Sequence, residues 1–183
     1  MSHAEGPISN RPGPKVRTDV VDVYIFRRIE GYTEFLQMRR VGDPLHGTWQ
    51  PIMGHIHAGE TATDTAIREL AEEAGINIGD AITLQSPKEG EIDASIKGLW
   101  ALEQVHPFYL AKSNEIMMSP RFACEVGPGW SPRLNEEHDA VRWIETGDVP
   151  WAFMWPGQMH AIDEILRCIV PEESITREHL RVR

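Results

Sequence analysis

The sequence predicts one layered α/β domain, and three observations carry that reading. Segments rich in β-branched and aromatic residues, foremost Asp19–Arg28 and Glu34–Arg39, are interspersed with helical patterns along the chain. Two of those patterns, near Ala62–Ala74 and Pro156–Ile169, place apolar residues at spacings of three and four, which is one helical face. A length of 183 residues suits one domain with tails and can bury a core without disulfides or metals as staples.

Each element has a local reason. Residues 1–17 contain Pro7, Pro12, Pro14, Gly6 and Gly13 and little that could build a core, so they read as a flexible N-terminal arm. The domain proper is expected over residues 18–170. Val20, Val21, Val23, Ile25 and Phe26 make the first strand, Glu30-Gly31-Tyr32 a turn, and Phe35 to Arg39 an alternating second strand, together a hairpin. Gly42, Asp43, Pro44 and Gly47 mark a loop. Weaker strand signals follow at Ala81–Gln85, Leu99–Phe108 and Phe122–Val126, then a loop at Gly127-Pro128-Gly129, and a short strand at Ala140–Ile144. The last helix carries Met159, Ile162, Ile165 and Leu166 on one face and stops at Pro171, leaving residues 171–183 as a charged tail.

Composition excludes several functions. With 28 acidic and 18 basic residues the formal charge is −10, which argues against a nucleic-acid coat or an anionic-membrane binder. A small phosphate ligand remains compatible, because a divalent cation inverts the local field. The two cysteines, Cys124 and Cys168, form no disulfide framework and point to a reducing compartment, so a cytoplasmic location is expected. No apolar run is long enough for a membrane span. A homodimer is compatible with the sequence.

The segment Gly54–Ile76, GHIHAGETATDTAIRELAEEAGI, carries the chemistry. Thr61 is an N-cap with Asp64 three residues on, and Gly75 stands where a left-handed cap ends a helix. At about 100° per residue, Ile67, Leu70, Ala71 and Ala74 share one face, and Glu69, Glu72 and Glu73 share the opposite one. Arg68 lies one turn from Glu72. Two unit charges roughly 4 Å apart cost about 1 kcal/mol in water and about 4 kcal/mol at an effective dielectric of 20. A solvated face tolerates that; a concave site needs protons or a hard cation such as Mg²⁺ or Mn²⁺. Clustered glutamates on a helix are ordinarily surface. The full pattern is more specific: Gly54, Glu60, Arg68-Glu69, an aliphatic, Glu72-Glu73, Gly75 and an aliphatic, with a chance frequency on the order of 10⁻⁹ per start.

This segment resembles the signature box of the Nudix hydrolases at all of its defining positions. The resemblance implies an α/β/α sandwich around a mixed sheet. It also implies hydrolysis of nucleoside diphosphates linked to another moiety, with Mg²⁺ as cofactor and Mn²⁺ as substitute. It makes Glu72 and Glu73 metal ligands and Glu69 a further ligand or the base. Arg68 would orient the glutamates, and Glu60 would hold the loop. Met53 stands where many members have a first glycine, and its backbone carbonyl could still be a ligand. His57 replaces a frequent acid. The stretches Gly47–Thr61 and Glu136–Ile144 are similar to the bacterial enzymes acting on dATP and dihydroneopterin triphosphate.

Other residues are candidates at lower specificity. The resemblance favours Glu137 as the acid from outside the box, with Glu115, Glu125 and Glu136 as rivals. Arg39 and Arg40 suit bidentate phosphate contacts, or are ordinary strand-end charges. Trp49 suits base stacking or core packing. His55 and His57 read as loop structure or substrate contacts rather than a metal pair. Trp151, Phe153 and Trp155 read as a hydrophobic anchor, and Cys124 as an inert buried thiol. The leading expectation is a pyrophosphohydrolase that turns a nucleoside triphosphate into a monophosphate and pyrophosphate. The alternatives are cleavage of dinucleoside polyphosphates, ADP-ribose or nucleotide sugars, and a nucleotide-binding module without turnover.

Overall fold

The hairpin foreseen between the first two long strands is the seed of the main sheet. In the computed structural model, which describes residues 13–78 and 96–182, Lys15–Arg17 forms β1, Val20–Ile29 β2 and Tyr32–Arg40 β3. β2 and β3 pair antiparallel from Phe26–Phe35 to Ile29–Tyr32, and Gly31, at φ +88°, makes the turn. Trp49–Gln50 (β4) continues beside β3, and Ile52–His55 (β5) beside β2. Ile96–Ala101 (β6), Arg121–Val126 (β9) and His138–Glu145 (β10) complete the order β10-β3-β2-β9-β6. The β2–β9 pair is parallel and the others antiparallel, so the sheet is mixed. Phe108–Leu110 (β7) and Glu115–Met117 (β8) join β1 in a separate three-stranded sheet.

Alternation along β2 and β3 makes both faces of the sheet apolar, and each face takes a helix. Val21, Val23, Ile25, Leu36, Met38 and Ile52 pack with Ala66, Leu70 and Ala74 of the helix Ala62–Ala74 (α1). Tyr24, Phe26, Phe35 and Trp100 pack with Phe153, Ala161, Ile162 and Ile165. These last come from the short helix Val149–Ala152 (α2) and the following turn, from Pro156–Glu164 (α3), and from its π-helical extension Ile165–Ile169. Helix, sheet and helix therefore stack in three layers, the sandwich expected. A fully buried side chain such as Leu70 contributes about 1.5–3 kcal/mol.

α1 ends where the sequence says it should. Thr61 Oγ1 accepts from Asp64 N at 3.2 Å, and Asp64 accepts from Thr61 N at 3.0 Å. Gly75, at φ +74°, donates to Ala71 O while Ile76 donates to Leu70 O.

Several expectations are corrected. The buried face of α1 is Thr65, Ala66, Glu69, Leu70, Glu73 and Ala74, rotated from the Ile67–Ala71 face toward the glutamates, because β5 and the start of β10 cover that side. Leu99–Phe108 is not one strand: β6 ends at Ala101 and β7 begins at Phe108, just after Pro107. The expected arm gives way to a strand at Lys15, held by parallel pairing with Glu115–Met117. The expected tail carries Ile175–Leu180 (α4), whose Arg177 is buried. Of the supposed hydrophobic anchor only Phe153 is buried; Trp151 is 89% exposed and Trp155 50%. The strand signal at Ala81–Gln85 lies outside the described residues. Among the described residues no helix is long and apolar enough to cross a membrane.

Candidate active site

Arg68 is the hub of the loop and helix that carry the signature. Its Nε donates to Glu60 Oε1 at 2.8 Å and its Nη2 to Glu60 Oε2 at 3.1 Å and to His55 O at 2.9 Å. Its Nη1 donates to Glu69 Oε1 at 2.7 Å and to Glu72 Oε2 at 3.0 Å. One planar donor fork thus ties β5, the loop and two turns of helix together. Glu60 accepts in addition from Thr65 Oγ1 and from His57 N. The Arg68 bond first, and then the His57 N–H, hold the Glu60 carboxyl down at about 2, so it is a fixed anion in the loop.

The glutamates differ in setting. Glu72 is exposed on the outer side. Glu69 lies folded over Gly54: a Cβ there would fall 2.0 Å from Glu69 Oε1, so only glycine lets this carboxylate reach the strand. Burial raises the Glu69 pKa against the pull of Arg68. Glu73 is 2% exposed, and its Oε2 has no hydrogen-bond partner. Burial, reinforced by the charges of Glu69 and Glu137, pushes its pKa up to about 9. His138 Nδ1 stands 3.8 Å from Glu73 Oε2, beyond hydrogen-bond reach, and burial lowers the imidazole pKa. Neither ring nitrogen of His138 has a partner. Buried polar atoms are ordinarily paired, so an orphaned carboxylate oxygen among repelling acids fits a hard cation. Among the described residues no three acids, histidines or cysteines already converge as a cation cage. The Arg68 guanidinium bridges Glu69 and Glu72.

Glu137 belongs to this group by charge, since it raises both Glu69 and Glu73, and its Oε2 lies 3.4 Å from Arg40 Nη1. Two of its three rivals are engaged elsewhere: Glu125 is paired with Arg28 and Arg177, and Glu115 with Arg17. Met53 sits in β5 opposite Asp22 and beside Gly54. Arg39 is engaged by Asp139 through two bonds of 2.7 and 2.9 Å, and so is not a free phosphate donor as it stands. Trp49 is half-buried, with Arg142 over its ring at 4.4 Å and Arg39 at 5.9 Å. That stacking occupies the face a base would use. Cys124 is fully buried, and burial pushes its thiol up, as an inert core group requires. Sequence reasoning missed His138 and Arg142. The only available signal was the adjacency of His138 to Glu137, four residues before Arg142.

With this geometry in view, comparison with known proteins is decisive at one level. The NUDIX domain profile matches residues 16–164. The chain belongs to the Nudix family. It is 33% identical over 106 residues to an octanoyltransferase of Myxococcus xanthus, covering 58% of this chain and 24% of that protein. It is 30% identical over 111 residues to the asymmetrical bis(5'-nucleosyl)-tetraphosphatase of Sus scrofa, covering 61% of this chain and 63% of that one. The Nudix match thus spans about a quarter and under two thirds of these two relatives. An Ap4A hydrolase binary complex from C. elegans superposes with a TM-score of 0.62 at 19% identity, over 82% of this chain and 96% of the other, a likeness of fold. These relatives do not single out the dATP or dihydroneopterin triphosphate subgroup.

Proposed function

We propose that this Nudix chain is a divalent-cation-dependent hydrolase of a pyrophosphate linkage in a nucleoside polyphosphate. The observation that carries the reading is the orphaned, buried Glu73 carboxylate set among Glu69, Glu72 and Glu137. Glu72, Glu73, Glu69, Glu137 and the Met53 carbonyl would hold Mg²⁺ or, as substitute, Mn²⁺. Such an ion neutralises phosphate oxygens and acidifies a water. Glu69 serves as the general base: its Oε1 is held at 2.7 Å by Arg68, and burial raises its pKa, which favours proton uptake. Arg68 and Glu60 position it. Arg40, on the strand beside His138, neutralises phosphate charge. Arg39 contacts substrate once Asp139 yields it, and Trp49 takes part through Arg142, which stays stacked on its ring.

For a nucleoside triphosphate the products are a monophosphate and pyrophosphate. A second reading, cleavage of a dinucleoside polyphosphate, is favoured by the likeness to the Sus scrofa tetraphosphatase. A panel of nucleoside triphosphates, dinucleoside polyphosphates, ADP-ribose and nucleotide sugars, assayed with Mg²⁺ and Mn²⁺ and read by product mass, separates the two. Turnover surviving in both Glu72→Gln and Glu73→Gln overturns the site. Nucleotide-induced thermal stabilisation with no product anywhere in the panel identifies a binding module instead. A cytoplasmic location and a homodimer accord with this reading.

A further inference from the structure

Every arginine on a described strand pairs with a carboxylate except one. Arg17 pairs with Asp19, Arg27 with Glu34, Arg28 with Glu125, Arg39 with Asp139, Arg40 with Glu137 and Arg121 with Asp22. Arg142, midway along β10, has no carboxylate partner among the described residues. It is held by neutral groups instead. Gln37 Oε1 accepts from its Nε at 2.9 Å and its Nη2 at 2.7 Å, and its guanidinium lies 4.4 Å from the Trp49 ring centroid. Gln37 is itself buried and fixed, its Nε2 donating to Ala152 O at 3.2 Å.

This scaffold orients the cation without neutralising it. Burial is the cause acting on the Arg142 pKa, and it lowers it; no neighbouring charge compensates. Arginine stays protonated regardless, so a half-buried positive charge stands uncompensated in a chain of net charge −10. Its Nη1 donates to nothing in the described chain and is not sealed from solvent, and the Nη2 contact to Ala152 O is long, at 3.4 Å. That end of the fork is available to an oxyanion. Gln37 and Phe35 alternate with Leu36 and Met38 along β3, so Arg142, opposite Gln37, lies on the sheet face away from α1. The position is distinct from the glutamate cluster.

We propose that Arg142, fixed by Gln37 and Trp49, anchors a phosphoryl-oxyanion site on this second face of β10. The oxyanion is either a remote phosphoryl group of the substrate or a free phosphate or polyphosphate. Titration calorimetry of the full chain with inorganic tripolyphosphate, without divalent cations, tests it independently of turnover. The wild-type chain binds, and Arg142→Gln weakens binding at least tenfold while the thermal midpoint stays within a few degrees. Gln37→Glu, which supplies the missing carboxylate, produces the same loss and serves if Arg142→Gln does not fold. Displacement of tripolyphosphate by a non-hydrolysable nucleoside triphosphate assigns the site to substrate; retention of both ligands assigns it to the free anion. No binding to the wild-type chain, or unchanged binding in the folded variants, overturns the proposal.

Discussion

Glu73 and Glu125 are both buried glutamates, 2% and 0% exposed, and the regions around them treat that burial in opposite ways. Glu125, on β9, is saturated with cations: Arg28 Nε at 2.7 Å, Arg177 Nη2 at 3.0 Å and Lys97 Nζ at 4.0 Å. Glu73, on α1, faces Glu69, Glu137 and His138, with Arg40 opposing their effect, and one of its oxygens is unpartnered. Burial by itself therefore does not make a reactive carboxylate. The sign of what surrounds it does: cations turn a buried acid into a structural bolt, and further acids turn it into a site that needs a cation.

Exchanging each glutamate for glutamine should divide the two roles most sharply. Glu73→Gln is expected to cut kcat at least ~100-fold, since losing an outer partner of a metal site already costs about 10–100-fold, with the thermal midpoint held or raised. Steady-state assay beside a thermal melt checks both halves; unchanged kcat would remove Glu73 from the site. Glu125→Gln should do the reverse. It strands the buried Arg177 and the partner Arg28, for a loss of about 3–5 kcal/mol in denaturant unfolding, with kcat per folded molecule retained.

A pH series gives the next largest difference. The native Glu73 pKa is raised to about 9, against an ordinary value of 4.5. Between those values the native chain keeps a proton that the unfolded chain has lost, so this group makes cation-free stability fall as pH rises. Urea midpoints at pH 6 and 8 with a chelator should therefore drop in the wild-type chain and drop less in Glu73→Gln. Parallel midpoints in the two would show that Glu73 is ionised after all. The smallest effect belongs to the outer shell of the Glu125 cluster. Glu172, which meets Arg28 at 2.7 Å from an exposed position, is screened by solvent. Glu172→Gln should leave the thermal midpoint within experimental scatter; a shift of several degrees would mean the cluster is cooperative to its rim.

The signature was legible because it is local. Thr61, Asp64 and Gly75 state the helix boundaries, and the spacing of Glu69, Glu72 and Glu73 states that they share an arc; both follow from backbone geometry within four residues. What the sequence could not state is which arc faces inward. Helical periodicity alone put Ile67 and Ala71 in the core and left open whether the three glutamates line a solvated face or a concave site. Closure by β5 and β10 buries Glu69 and Glu73 and leaves Glu72 outside. Of the two, β10 lies far off in sequence, and so do the partners that engage Arg39 and Glu125. Asp139 is 100 residues from Arg39, and Arg177 is 52 from Glu125. The main hairpin and the helix after Trp155 were readable from alternation and period. The pairing of β1 with β8 was not, since three residues carry no pattern.

The segment around α4 has a further consequence for the sheet's outer rim. β6 is the terminal strand on its side, and its outer row of peptide groups would stand open to any passing strand. Val182 N donates to Leu99 O, Arg181 bridges to Trp100 and donates to Lys97 O, and the buried Arg177 moors the helix that delivers them. The chain thus hems its own selvage. A protease nick before Ile175 would do more than loosen a helix: it would unmask a strand edge rich in Leu99 and Trp100 and invite chain-to-chain stacking.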